Sequence, residues 1–304
     1  MTPPAAPERP KVLYVMGAGQ SGSTILGVTL GNCSDFVFAG EVEEWLVKSG
    51  KPPWIDRERR EFWDAVAAQV HGSDLFGAEA NRCIERSSAA LRVDRWRMRR
   101  RLLVRYREVA EELLRAIATT AGASHVIDTS HFPLRANELR KLRGCELYLI
   151  YLVRDPHAIV DSNLRELSVH EVAERRVRTL RMNANLWVTN LLAAFVFMRQ
   201  PRARRMFLRH EDFLADPSGV VAQLLRWVGS PASPPDLGAL TIGVPLAGNR
   251  LIRGSVIAFR ATPEARIERS RLTTVMQLPW LAAQRLFAPV LASGRAGDAT
   301  VPRL

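Results

Sequence analysis

The chain reads as a three-layer α/β domain, with a central parallel sheet of about five strands flanked by helices. Three observations lead there. Five short apolar runs are unbroken rather than alternating, as in strands buried on both faces. Stretches with helical periodicity separate them, which is the alternation that a parallel sheet with crossover helices requires. Four of the runs end in polar or glycine-rich segments, at 17–24, 40–44, 128–131 and 154–162. In open parallel sheets ligands bind at such strand ends.

The first strand is Lys11-Val-Leu-Tyr-Val-Met16, and a helix follows over 23–30. Phe36-Val-Phe-Ala39 is the second strand and stops at Gly40-Glu41. Residues 56–118 are mostly helical; the arginine-rich part, 95–107, keeps Trp96, Met98, Leu102, Leu103 and Tyr106 for a buried side. His125-Val-Ile-Asp128 is the third strand, and a helix runs from Pro133 to Lys141. Residues 146–153 form the most apolar strand, which places it centrally. A helix follows Pro156, then a long one over about 168–199. The apolar run Leu186–Met198 is broken by Thr189 and Asn190, too short for a bilayer, and reads as a buried helix. Arg205-Met-Phe-Leu-Arg209 is the fifth strand, with a helix over 218–228. Glycine and proline make 229–254 a loop. Residues 1–10 read as a disordered tail, 11–290 as one domain with helical insertions at about 42–118 and 165–200, and 291–304 as a loose end.

With 304 residues the chain can bury a full core. Its composition, 47% hydrophobic and 24% charged, excludes a disordered chain, a collagen or a membrane bundle. The net charge is +12, and four lysines stand against 39 arginines. This balance suits an anionic partner, and arginine's forked donors suit oxyanions. Arginine-rich codon usage would give the same bias, so charge alone selects no partner, and no nucleic acid is expected. Cys33, Cys83 and Cys145 form no CxxC pair. That argues against a thiolate metal site and a disulfide framework, and suits a reducing cytoplasm. No metal is expected, and the N-terminus carries no apolar leader.

The segment Gly17-Ala-Gly19-Gln-Ser-Gly22-Ser23-Thr24 lies between the first strand and the first helix. Glycines there let backbone N–H groups close on an anion at a helix N-terminus. Three readings fit. It matches G-x-G-x-x-G, with Glu41 nineteen residues after Gly22, as in a dinucleotide site. It nearly matches the P-loop of a kinase, with Ser23 where the lysine belongs. Or it is a P-loop-like cradle for another phosphorylated or sulfated group. Arg154 spoils the strand before Asp155 as a magnesium-binding segment, which weakens the kinase reading.

Together with three later segments the loop resembles sulfotransferases that use 3′-phosphoadenosine 5′-phosphosulfate (PAPS), nearest the bacterial enzymes and the related tyrosylprotein sulfotransferases. Gly19-Gln-Ser-Gly-Ser-Thr-Ile-Leu26, with Val37-Phe-Ala-Gly-Glu41, is similar to their start. Leu152-Val-Arg154-Asp-Pro-His-Ala-Ile-Val-Asp-Ser162 is similar to their second motif. Arg209-His-Glu-Asp-Phe-Leu-Ala-Asp-Pro217 resembles the family's RYEDLVADP segment, and Ala247-Gly-Asn249-Arg-Leu-Ile-Arg253 its late GN-x-x-R loop. The resemblance spans about residues 11–255.

The resemblance implies a sulfotransferase fold and PAPS as co-substrate. It implies that Gly19, Gln20, Ser21, Gly22, Ser23 and Thr24 hold the 5′-phosphosulfate. Arg154 and Ser162 would clamp the 3′-phosphate, and Asn249, Arg250 and Arg253 would close over the nucleotide. Glu41 matches the catalytic glutamate of the tyrosylprotein enzymes and is the expected general base, with Glu43 and Glu44 as competitors. The acceptor would be a hydroxyl of a small molecule, natural product, lipid or glycan, bound by the two helical insertions. Trp45, Trp54, Trp63 and Trp96 are candidates for its cleft, with core packing expected for at least half. Three departures fall near the reacting end. Gln20 stands where the family carries Arg or Lys, Asp128-Thr-Ser-His131 where many members read Asp-Ser-Ser-Lys, and Val244 where the late loop usually begins with His. His131 is the expected source of the missing charge, which would make activity depend on pH near its titration. Otherwise Arg250 or Arg253 supplies it. A kinase and a catalytically weakened PAPS-binding homologue are the alternatives.

Overall fold

The computed structural model describes residues 9–50, 56–91, 93–166, 172–248, 250–259 and 270–287. The elements in order are β1 (Lys11–Gly17), α1 (Ser23–Gly31), β2 (Phe36–Gly40), α2 (Glu43–Val47), α3 (Arg57–Ala67), α4 (Ala78–Ile84) and α5 (Trp96–Ala121). Then come β3 (His125–His131), α6 (Pro133–Leu139), β4 (Glu146–Val153), α7 (Pro156–Glu166), α8 (Val172–Arg199), β5 (Arg205–Arg209), α9 (His210–Ala215) and α10 (Pro217–Val228). A two-stranded antiparallel ribbon, β6 (Leu240–Thr241) and β7 (Val256–Ile257), and the helix α11 (Arg271–Phe287) complete the set.

The five long strands form one parallel sheet in the order β2-β3-β1-β4-β5. β1 is central: Leu13 lies beside Ile127 of β3 on one side and Tyr148 of β4 on the other. The expected parallel sheet of about five strands is therefore present, with β1 beside β4 at its middle. The dinucleotide-binding order would set β2 directly against β1. Here β3 intervenes, which removes that reading of the glycine loop.

Alternation along β1 divides the core. Val12, Tyr14 and Met16 face a cluster with α5, α6 and α8, through Leu113, Ala136 and Phe197. Leu13 and Val15 face the opposite cluster with α1 and α10, through Leu26, Val28 and Leu224. All are almost wholly buried. Each buried Val, Leu or Phe contributes about 1.5–3 kcal/mol relative to exposure. The uninterrupted apolar strands thus have a physical cause, since both faces of the sheet are covered.

Three local expectations change, and the core packing expected for at least half of the four tryptophans is found in two. Trp96 and Met98 are exposed, because the first turns of α5 precede its contact with the core; Tyr106 is buried. The run Leu186–Met198 is not wholly buried: Leu191, Phe195 and Met198 face outward on α8, while Leu186, Ala193, Val196 and Phe197 face inward. An apolar stretch wound at 3.6 residues per turn presents both faces. The loop 229–254 contains β6 and a 3₁₀ turn over Arg250–Arg253. Trp45 and Trp63 pack against each other in the core, and their indole N–H groups donate to Ser73 Oγ (2.8 Å) and the Val244 carbonyl (2.9 Å). Neither lines a site cavity, and Trp54 lies outside the described residues. No described helix is long and apolar enough to cross a membrane.

Candidate active site

The turn after β1 is built for close approach. Gln20 has φ +64° and Gly22 φ +90°. A Cβ on Gly22 would stand 2.3 Å from the His210 ring, so both the backbone conformation and the neighbour require glycine there. α1 starts immediately afterwards without a side-chain cap. Its first N–H groups are thus left to an external acceptor, and the positive end of the helix dipole points the same way. Ser23 and Thr24, mostly buried, add hydroxyls to the same wall.

Arg154 follows β4, and its Nη1 donates to the Gln20 carbonyl at 3.0 Å. Ser162, two turns along α7, donates from Oγ to Gln20 Oε1 at 3.3 Å. Arg154 and Ser162 therefore both hydrogen-bond to Gln20. The nearby acids are engaged elsewhere. Asp155 caps α7 by accepting from the His157 N–H at 2.7 Å, and Asp161 pairs with Arg165 at 3.2 Å.

Glu41 owes its position to the end of β2 and to the late loop. Gly40 has φ +77°, and a Cβ there would lie 2.4 Å from the Ala247 carbonyl. That contact exists because the late loop runs along the end of β2: Leu246 N–H donates to Ala39 O and Glu41 N–H to Ala247 O, both at 2.9 Å. Arg59 of α3, itself buried, holds the same loop through the Ile252 carbonyl at 2.8 Å. Val244 is turned towards the core.

The end of β3 leads into a buried ionic network. Arg135 donates Nη2 to Asp128 at 2.9 Å and Nη1 to Glu85 at 2.7 Å, and all three are fully buried. Tyr106 Oη donates to Glu85. Ser130 donates its hydroxyl to Asp128 Oδ1 and accepts from the Glu43 N–H at 3.2 Å. Glu43 is buried, not at the surface, and its Oε2 has no hydrogen-bond partner. Burial, followed by the charges of Glu41 and Glu85, raises its carboxyl well above the usual range.

His131 sits at the mouth of this corner with φ +54°. Burial and then the nearby Arg86 depress its pKa to about 4, against the pull of Thr129 and Asp128. The ring is neutral at pH 7. The expected positive charge on His131 is thus disfavoured by its surroundings, because a low-dielectric corner beside an arginine opposes a second positive charge.

Two cavities meet here. One, of about 410 Å³, is lined by Gly19, Gln20, Gly22, Ser23, Thr24, Glu41, His131 and Arg154. His210, Gly248 and Leu251 complete its wall. The other, of about 360 Å³, shares Gly19, Glu41 and His131 with the first. It continues over Glu43, Glu44 and Arg86 to Met182 and Leu186 of α8. Ser21 is buried beneath the loop and lines neither. Arg253 is exposed and also absent from both walls, because the 3₁₀ turn directs Ile252 inward in its place. Asn249 and the side chain of Arg250 lie outside the described residues. Among the described residues no group of three His, Cys, Asp or Glu could hold a metal ion.

His210 was not anticipated. It begins α9 directly after β5, the fifth strand end, and the rule that singled out the other four strand ends would have found it. Burial and then Arg154 lower its pKa to about 4, so it too is neutral. Arg86 stands just before a 3₁₀ turn over Ser87–Leu91, far from any motif, and had no sequence signal.

Comparison with the curated proteins finds no match. Among solved structures the chain is similar to the sulfotransferase domain from the curacin biosynthetic pathway, at 16% identity and a TM-score of 0.50, covering 90% of this chain and 99% of that one. It is similar to the sulfotransferase domain from the Synechococcus PCC 7002 olefin synthase, at 15% identity and a TM-score of 0.50, covering 91% of this chain and 96% of that one. At these identities the likeness concerns the fold, which is the same sheet flanked by helices. The model described as the sulfotransferase family matches residues 12–234, most of the chain and all five strand ends that meet at the cavities, so the chain belongs to that family.

Proposed function

We propose that this protein transfers a sulfuryl group from PAPS to a hydroxyl of a small-molecule, natural-product, lipid or glycan acceptor. The observation that carries the reading is the meeting of two cavities at Gly19, Glu41 and His131. One wall is made of anion-holding parts, and the other is a mixed polar and apolar chamber. An in-line transfer needs such a junction, with donor and acceptor entering from opposite sides.

The residues of the first cavity fit a nucleotide carrying phosphate and sulfate. PAPS carries roughly four negative charges, which call for fixed N–H donors and arginine. The uncapped start of α1, with Ser23 and Thr24, suits the 5′-phosphosulfate; Arg154 suits the 3′-phosphate, with Ser162 bonded to Gln20 outside the cavity wall. His210, neutral and buried against Gly22, offers a flat wall without adding charge. In the transfer the sulfur–oxygen bond to the donor phosphate breaks and a bond to the acceptor oxygen forms. Glu41 takes the acceptor's hydroxyl proton. The α1 N–H groups stabilise the charge left on the donor's 5′-phosphate.

Calorimetric titration with adenosine 3′,5′-bisphosphate, with ATP and NAD as controls, tests the donor. Micromolar binding of the bisphosphate alone, without magnesium, is expected. Preference for ATP or NAD, or no binding, would overturn the reading.

A further inference from the structure

We infer that the acceptor carries a positively charged amine in addition to the hydroxyl that is sulfated, and that Glu43 and Glu44 receive the amine. The inference rests on the sulfotransferase reading of the same site and specifies its second substrate.

The wall of the second cavity is richer in carboxyls than the molecule as a whole. The chain as a whole is at +12. Yet the described wall of this cavity holds three carboxyls, Glu41, Glu43 and Glu44, against one guanidinium, Arg86. Arg86 itself lies over the Phe132 ring at 5.7 Å.

Glu43 makes the wall more than an acidic cluster. It is 4% exposed, it borders the cavity, and its Oε2 lacks any hydrogen-bond partner. Behind it stand Asp128 and Glu85, both fully buried, and the single guanidinium of Arg135 is shared between those two. The corner therefore contains three buried carboxyls for one buried cation. With no cation beside it, Glu43 is balanced by a proton, since burial and the charges of Glu41 and Glu85 raise its carboxyl well above the usual range; a cation at its cavity side would take the proton's place. Arg135 reaches Asp128 and Glu85 from the core side, which leaves the cavity side of Glu43 for the balancing group. An acceptor ammonium at that face supplies the charge. A neutral polyol would supply a donor without the charge, and an acid would bring a further negative charge beside Glu41 and Glu44.

The arrangement also sets which atom reacts. An alkylammonium, with a free pKa of about 10, stays protonated beside carboxylates and has no lone pair for attack. The hydroxyl, directed towards Glu41 two residues earlier in the chain, is the nucleophile. Its proton passes to Glu41 as the sulfur–oxygen bond forms. Met182 and Leu186 of α8 bound the carbon frame on the far side.

The test is a set of matched hydroxyl compounds, each as the primary amine, its N-acetyl form and the corresponding carboxylate. Amino sugars and amino alcohols with their acylated and oxidised counterparts serve. They are incubated with full-length protein and PAPS, and release of adenosine 3′,5′-bisphosphate is followed. The amines are expected to exceed their N-acetyl partners at least tenfold in kcat/KM, with the carboxylates inactive. In Glu43→Gln, and separately in the less buried Glu44→Gln, the preference should shrink through KM, while bisphosphate affinity stays at the wild-type value. Neutral or acidic members turned over as well as the amines, or an amine preference untouched in both variants, would overturn the inference. So would a set in which no amine reacts although the bisphosphate still binds, and that outcome leaves the donor assignment standing. Failure of the bisphosphate to bind would instead remove the sulfotransferase reading beneath it.

Discussion

At the scale of single residues, two side chains divide the proposed chemistry. Glu41 borders both cavities, and its backbone is held by the Ala247 carbonyl. Glu41→Gln keeps the shape and removes the proton acceptor. Turnover should fall about 10²–10⁴-fold, with bisphosphate affinity intact in the same preparation; unchanged turnover would reject Glu41 as the base. Arg154 hydrogen-bonds the Gln20 carbonyl within the donor cavity. Arg154→Ala should weaken bisphosphate binding by about 1.5–3 kcal/mol, the range of a hydrogen bond to a charged group, in the same calorimetric titration. Equal affinity would make the residue a brace for the loop alone. Both residues were legible in the sequence because they terminate apolar strands. Arg86 and the burial of Glu43 were not, since neither position carries a local pattern that distinguishes cavity wall from surface.

Among the elements, the turn between β1 and α1 carries the tightest constraint. Gly22 combines a left-handed backbone with a Cβ position occupied by His210 of α9. Gly22→Ala must therefore strain the turn and displace His210 together. The expected result is loss of bisphosphate affinity by at least tenfold with the sheet intact by circular dichroism; wild-type affinity would show that the turn adapts. The glycine pattern was visible in the sequence, but its reason was not. His210 lies 188 positions away, and α9 reaches the turn only because β5 joins the sheet beside β4. The late loop is a similar case. Its composition marked it as irregular, and its pairing with the end of β2 followed from the fold.

At the scale of the whole molecule, Arg135 links β3, α6, α5 and the segment after α4 through Asp128, Tyr106 and Glu85. Arg135→Met leaves two buried carboxylates without their cation. A stability loss of about 3–5 kcal/mol is expected from chemical denaturation. A loss below about 1 kcal/mol would mean that the carboxyls take up protons and the network carries little. Stability also depends on pH through the depressed histidines. A free histidine binds its proton near pH 6.5, whereas His210 in the folded chain binds it near 4. Between those values the unfolded chain holds a proton that the folded chain refuses, so His210 costs stability as pH falls from about 6.5 to 4. Glu43 and Glu85, raised by burial, act with the opposite sign above the usual carboxylate range. Comparison with His210→Gln isolates the histidine: wild type should lose ground to the variant across that window, by at most about 3 kcal/mol. A constant difference from pH 7 to 4 would overturn the assignment.

The sequence by itself determined the layers of this protein and the ends of its strands. Unbroken apolar runs such as 146–153 are a local record of burial on both faces, and the glycine, Arg154 and Glu41 segments punctuate them. Tertiary structure alone decided strand order, and with it which strand ends share a cavity. It settled which of the tryptophans pack in the core, Trp45 and Trp63, and buried His131 in a corner that lowers its pKa. It also brought Glu43 beside Glu85 and Asp128. The physical reason is the range of the forces involved. Backbone preference and hydrophobic periodicity act over a few residues, whereas desolvation and charge coupling depend on partners that lie tens to hundreds of positions apart and meet only when the sheet assembles.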